Sequence, residues 1–346
     1  MEEGKLVNLC NLISQFGFAY IRSVFMNVIK LSEYIETLEK TRKPWQQNYY
    51  AMYSSLLGGV VTDPVMMQVP LDDHLVHRGD GVFDTFKCVN RGAYNLESHL
   101  RRLLRSASAI GLEWPGGINE IRKLTIETLQ VADHDGCSAR IILARGPGSY
   151  TVSPYDSDAP SLYIVVYTGG TPFMQRKPEG ADVRRSQVPV KHAKFATVKN
   201  CNYLPNVMMK RESVDWGVDF VVGFDLDEFM TEGATENFGI VTRNADLIFP
   251  NMKKVLDGTT MTRAMKLAEK LVEKGMLESV GFGNITPKDV SSAREMLIVG
   301  TTLNVVSVRT FDGEPVGDGT PGEVGITLNQ MVAEDIRSNA DLRTEY

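Results

Sequence analysis

A lysine in an apolar stretch, a carboxylate 33 residues later and a glycine-threonine turn opening a helix are the residues of this sequence best suited to act together. The lysine is Lys199, in Phe195-Ala196-Thr197-Val198-Lys199-Asn200-Cys201-Asn202-Tyr203-Leu204-Pro205-Asn206. Withdrawing a lysine from water penalises its charged form, so the amine loses proton affinity and becomes a usable nucleophile. The carboxylate is Glu232, in Met230-Thr231-Glu232-Gly233-Ala234-Thr235-Glu236-Asn237-Phe238. The turn is Leu256-Asp257-Gly258-Thr259-Thr260, and the free backbone N–H groups of the helix behind it could hold a phosphate.

Other chemistries find little support. Gly79-x-Gly81 runs into a strand rather than a helix, which counts against a dinucleotide fingerprint. The five histidines have no metal-ligand spacing, and no GxSxG elbow occurs. Four scattered cysteines without a CxxC pair indicate neither a disulfide framework nor a zinc site, and suit a reducing, cytoplasmic setting. A net charge of −6 without basic runs argues against nucleic acid and anionic membrane as partners. The chain has 346 residues, 43% of them hydrophobic, enough for two domains or one large one.

The elements that must position these residues follow from periodicity. Val24, Val28, Leu31, Ile35 and Leu38 recur at helical spacing, so residues 21–40 read as an amphipathic helix. Residues 6–29 are too polar to span a membrane and lack the basic start of a signal peptide. An extra helix packed on the body or on a neighbouring subunit is expected there, with a cleaved targeting peptide as the alternative. Residues 95–111 carry a leucine stripe that stops at a glycine, and residues 118–131 form a second helix. Residues 140–144 and 161–168 read as strands flanking a long loop. Gly169-Gly170-Thr171-Pro172 and Pro178-Glu179-Gly180 mark a linker. Beyond it come strands around Val183 and Val188, then Lys199 followed by a helix through about Trp216, strands at 220–224, 238–241, 247–249 and 295–299, and a helix at 261–274.

Taken together, these segments resemble the class IV pyridoxal-phosphate enzymes: branched-chain aminotransferases, D-amino-acid aminotransferases and aminodeoxychorismate lyases. HRGDGVFDTF at 77–86 and LESHLRRLLRSASAIGL at 96–112 agree with the later motifs. The similarity covers residues 49–337, and YYAMYSSLLGGVVTDP and GDGTPGEVG point to a plant-like D-amino-acid or branched-chain-like branch. The resemblance implies an α+β, two-domain fold type IV architecture with the cofactor between the domains. Its parts would be a helical extension at 1–45, a small domain at 46–168, a linker at 169–180 and a larger domain at 181–346.

By position, the resemblance makes Lys199 the residue that carries pyridoxal 5'-phosphate as a Schiff base and shuttles the substrate proton. It sets Lys191 and Lys194 aside, because only Lys199 lies four residues ahead of Tyr203. Glu232 resembles the partner of the pyridine nitrogen, and Arg102 the arginine on the phosphate. Thr259, Thr260 and Thr301 resemble the rest of the phosphate cup, and Tyr203 the donor to the ring oxygen. Phe83, Arg140 and Thr302 fall at substrate positions, although a strand arginine at a surface is an equal reading of Arg140. The Arg-x-His carboxylate trap of the bacterial D-amino-acid enzymes is replaced by Tyr150 and Val152. The implied activity is ping-pong transfer of an amino group between a branched-chain or D-amino acid and a 2-oxo acid, in a homodimer. A lyase releasing pyruvate from aminodeoxychorismate is the alternative.

Overall fold

The period-two apolar runs of the first half pair into one antiparallel sheet. Its strands are β1 (Tyr49–Ser54), β2 (Gly59–Val61), β3 (Gly81–Val89), β4 (Gly92–Tyr94), β5 (Cys137–Ala144) and β6 (Ser161–Thr168). The computed structural model describes residues 26–346. Along β3, Val82, Asp84, Phe86 and Cys88 are buried while Phe83, Thr85 and Lys87 are only partly covered, so the strand presents two different faces. The fully buried face packs on helices Leu96–Ala109 and Gly117–Ala132 through Leu96, Leu100, Leu103, Ile121 and Leu129. Burying the leucine stripe of Leu96–Ala109 is what holds that helix against the sheet, at roughly 1.5–3 kcal/mol for each fully covered leucine.

The second half builds a mixed sheet from β7 (Ala181–Arg185), β8 (Phe220–Phe224), β9 (Met230–Gly233), β10 (Asn237–Val241), β11 (Asp246–Pro250), β12 (Ser279–Gly283), β13 (Glu295–Gly300), β14 (Asn304–Phe311) and the short β15 (Glu314–Pro315). The order is β12-β11-β10-β13-β14-β7-β8-β9, and β9 also pairs with β10 through Glu232 and Asn237. That last pair brings the sheet back on itself. Glu232 therefore stands at the closure, beside the start of helix Thr259–Glu273. This helix and Glu323–Ser338 cover one face through Leu267, Leu271, Leu328 and Val332. Phe238, Ile298, Val306 and Val222 fill the other.

Several expectations are corrected. Residues around Val188 form a loop, not a strand: Ser186 Oγ and the Gln187 N–H both donate to the Glu212 carboxylate, at 2.5 and 3.0 Å, and pull the chain off the β7 line. The periodicity stops short of β14 and of helix Glu323–Ser338, both well formed. After that helix the chain returns to the first sheet, where β16 (Arg343–Glu345) pairs with β4. In the N-terminal unit, residues 1–46, the helix runs Leu31–Lys40 rather than from residue 21. Residues 26–30 are non-helical, with β-branched Val28 and Ile29 ahead of a turn in which Lys30 O accepts the Glu33 N–H at 2.9 Å. Residues 21–25, including Val24, lie outside the described residues. The stripe residues Leu31 and Ile35 are exposed. Among the described residues no helix is long and apolar enough to cross a membrane.

Candidate active site

The Lys199 segment is fixed by strand pairing where β4 leaves β3 uncovered. Along β3, β4 pairs only with Cys88 and Val89, so the opening residues of β3 have a free edge. The Phe83 N–H donates to Lys199 O at 3.0 Å and the Cys201 N–H to Gly81 O at 2.8 Å. Ser106 Oγ, from helix Leu96–Ala109, accepts the Lys199 N–H at 3.1 Å. The backbone of Lys199 is thus tied to a strand and to a helix, and its side chain points into a cavity of about 340 Å³.

Nine of the ten expected site residues line that cavity: Phe83, Arg102, Arg140, Lys199, Tyr203, Thr259, Thr260, Thr301 and Thr302. The Lys199 amine sits 4.7 Å from the centre of the Phe83 ring and 5.7 Å from that of Tyr203. The two rings meet edge to face, 5.1 Å apart. Tyr203 Oη lies 3.4 Å from Lys199 Nζ, and burial raises its hydroxyl so that it stays protonated. Burial, reinforced by the Arg102 cation, pushes the Lys199 amine down to about 8; Asp84 and Glu232 oppose the shift and Lys191 adds to it.

One end of the cavity is built around Arg102. Its Nε and Nη2 donate to the two oxygens of Asp84, both at 2.8 Å, and Nη1 donates to Asp257 O at 2.7 Å. Burial alone would raise the Asp84 carboxyl, but Arg102 and His99 hold it well below the usual range. Burial also lowers the imidazole of His99 against the pull of Asp84, so the ring is neutral near pH 7. Neutral His99 then donates Nδ1–H to Asp84 Oδ1 at 2.7 Å and accepts at Nε2 from Thr259 Oγ1 at 3.3 Å. Thr260 and Thr301 hydroxyls stand 3.3 Å apart. Gly258, before helix Thr259–Glu273, packs so closely on Asn237 that a Cβ would lie 1.9 Å from its Oδ1. Asp84, His99 and Asn237 carry no sequence signal of their own; the alignment of Asp84 with His99 is made by the helix-on-sheet packing.

The other end is looser. Arg140, on β5, is exposed; its Nε donates to Thr85 Oγ1 at 3.1 Å and its guanidinium lies 5.1 Å from the Phe83 ring centre. Thr85 and Arg140 are cross-strand partners, and Tyr167 of β6 joins them in the wall. Glu232 is the exception among the ten. It does not line this cavity; its Oε2 accepts the Leu256 N–H at 2.9 Å and its Oε1 pairs with Lys191 Nζ at 2.9 Å. A larger cavity of about 1000 Å³ lies beside the Arg184–Ala193 segment, but its Arg185 and Lys254 are taken up by Glu228 and Asp225. Among the described residues no cluster could hold a metal ion.

The residues fit a phosphorylated aldehyde. Three of the five Arg102 N–H donors are committed, leaving two beside the open N-terminus of helix Thr259–Glu273, a suitable receptor for a dianion. A lysine amine lies in the same cavity with its proton affinity lowered towards neutrality.

Comparison with known proteins agrees. The family model described as amino-transferase class IV matches residues 81–311. A chloroplastic D-amino-acid transaminase of Arabidopsis thaliana is 38% identical over 293 residues, covering 84% of this chain and 78% of that protein. D-alanine aminotransferase of Bacillus licheniformis is 24% identical over 286 residues, covering 82% of this chain and 97% of that protein. The structure of a branched-chain aminotransferase from the archaeon Thermoproteus uzoniensis, solved with norvaline, superposes with a TM-score of 0.76 at 21% identity, over 86% of this chain and 99% of that one. That likeness shows the fold.

Proposed function

The chain belongs to the class IV aminotransferases, and from that membership we propose that it holds pyridoxal 5'-phosphate on Lys199 and moves an amino group between a D-amino or branched-chain amino acid and a 2-oxo acid. The observation that carries this reading is the Lys199 amine, lowered to about 8 between Phe83 and Tyr203 in a cavity with an arginine towards each end. The transaminase names of the relatives favour transfer over the pyruvate-releasing lyase.

Bound there, the cofactor supplies an electron sink that makes the substrate's Cα–H acidic. Arg102 and the backbone N–H groups of Thr259 and Thr260 would hold its phosphate, with the Thr260 and Thr301 hydroxyls beside them. The Thr259 hydroxyl is committed to His99, so that residue offers its N–H. Tyr203 would donate to the ring oxygen, and Glu232, the one expected residue outside the cavity lining, would accept from the ring nitrogen with a lone pair that the Leu256 N–H and Lys191 leave free. Lys199, neutral in appreciable fraction near pH 8, takes the Cα proton and returns it, which is efficient when the base's pKa is near the working pH. Arg140 anchors the substrate carboxylate, supported by Thr85 and the Phe83 ring. Phe83 and Tyr203 exclude water around the amine.

A homodimer is supported by the exposed Leu204, Val207 and Met208 on helix Leu204–Asp215, and sizing by light scattering tests it. A cytoplasmic location is supported by the free thiols of Cys88, Cys137 and Cys201, while one relative is chloroplastic. Fractionation of tagged protein decides the compartment. The activity is tested with a panel of L- and D-amino acids against 2-oxoglutarate and pyruvate. Conversion of the cofactor to its amine form by a single amino acid is expected. No conversion by any amino acid, or pyruvate released from aminodeoxychorismate without it, would refute transfer.

A further inference from the structure

Lys191 has no role in the reading above, yet it makes the one ion pair recorded for the Glu232 carboxylate among the described residues. Its Nζ stands 2.9 Å from Glu232 Oε1, while the Leu256 N–H donates to Oε2 at 2.9 Å, so each carboxylate oxygen has a fixed partner. The same ammonium lies 5.9 Å from the centre of the Tyr203 ring, whose hydroxyl is next to Lys199 Nζ. Both ends of the pair are largely covered, with side-chain exposures of 20% and 13%. Lys254, the other cation beside Glu232, is taken by Asp225 Oδ2 at 2.5 Å and Asp227 Oδ2 at 3.4 Å.

The approach of Lys191 is built into the chain. The Ser186 N–H donates to Val222 O, and Ser186 Oγ with the Gln187 N–H clamps the segment to Glu212. The chain that follows carries Lys191 across β9, where Glu232 sits. A carboxylate at the end of a three-bond side chain would otherwise choose among several rotamers, and two fixed donors remove that freedom.

We propose that Lys191 is a positioning residue: it clamps the Glu232 carboxylate against the Leu256 amide, so that the carboxylate is presented in one orientation to the ring nitrogen of the cofactor. This rests on the pyridoxal-phosphate reading of the site. The clamp acts through Glu232, and its effects therefore appear only where Glu232 is intact.

The experiment compares full-length wild type, Lys191→Met, Lys191→Arg, Glu232→Gln and the Lys191→Met/Glu232→Gln double variant, each reconstituted with pyridoxal 5'-phosphate. The readouts are the pH titration of the bound cofactor's absorbance, its dissociation constant from protein fluorescence, and kcat and KM separately. Lys191→Met is expected to shift the absorbance titration and to lower kcat by about tenfold, the scale of one charge-assisted contact, with KM within about twofold. Lys191→Arg is expected to recover most of both. In the Glu232→Gln background Lys191→Met is expected to change nothing further. A Lys191→Met titration and kcat that superpose on wild type overturn the proposal, as does an equal loss in the Glu232→Gln background. A wild type that forms no coloured complex overturns the pyridoxal-phosphate reading itself, and this inference with it.

Discussion

At the Arg102 end of the cavity, a bidentate carboxylate, a backbone carbonyl and a neutral imidazole fix the guanidinium and the threonine beside it. At the Arg140 end, the guanidinium is exposed and rests on one threonine hydroxyl and the face of Phe83. The first is a receptor made rigid before anything binds; the second leaves its charge adjustable. A cofactor that stays in place through every turnover suits the rigid end, and a substrate that enters and leaves suits the adjustable one. The two arginines thus differ less in chemistry than in how completely their surroundings determine them.

Removing the support of the rigid end has the largest expected consequence. Asp84→Ala leaves Arg102 buried without its carboxylate, which costs about 3–5 kcal/mol. Thermal or denaturant unfolding reads that loss, and cofactor retention should fall with it. If Asp84→Ala unfolds like wild type, the contrast between the ends disappears. Lys199, between them, is tested next by pH in the cofactor-free protein. With its pKa lowered to about 8, the amine is charged below that value and free above it, so labelling by an amine reagent should rise through pH 8. An ordinary lysine reaches half its maximum only at about 10.4, so near pH 7 Lys199 should label roughly a hundredfold faster than an unperturbed one.

The loose end predicts a smaller and different effect. Arg140→Gln should raise KM for the amino acid by about tenfold or more, with melting temperature and cofactor affinity unchanged. A loss of cofactor instead of substrate affinity would reassign Arg140 to the rigid end. Thr259→Val is the mildest test. It removes the hydroxyl that donates to His99 and should cost about 1 kcal/mol of stability while keeping the cofactor, because the backbone N–H remains. Retention of cofactor by Thr259→Val and its loss by Asp84→Ala would separate the backbone contribution from the side-chain network.

The rigid end was the more legible in the sequence, for a physical reason. Thr259, Thr260 and Thr301 lie in short motifs, as do Lys199 and Tyr203 between the two ends, and the order of these motifs survives in a linear reading. The leucine stripe places Arg102 on a sheet-facing helix. Asp84 and His99 could not be seen as a pair, because they meet only when that helix lies on β3. Thr85 and Tyr167 reach the loose end through the register of β3, β5 and β6, which the sequence does not print. The family resemblance sets Lys191 aside by its distance from Tyr203, yet a loop held by Glu212 carries it to Glu232.

The measurement that bears most directly on the account is reductive trapping on the reconstituted protein. Borohydride treatment followed by peptide mass mapping should find the phosphopyridoxyl group on Lys199 and on no other lysine. A label on Lys191 or Lys194, or none at all on coloured protein, would contradict it.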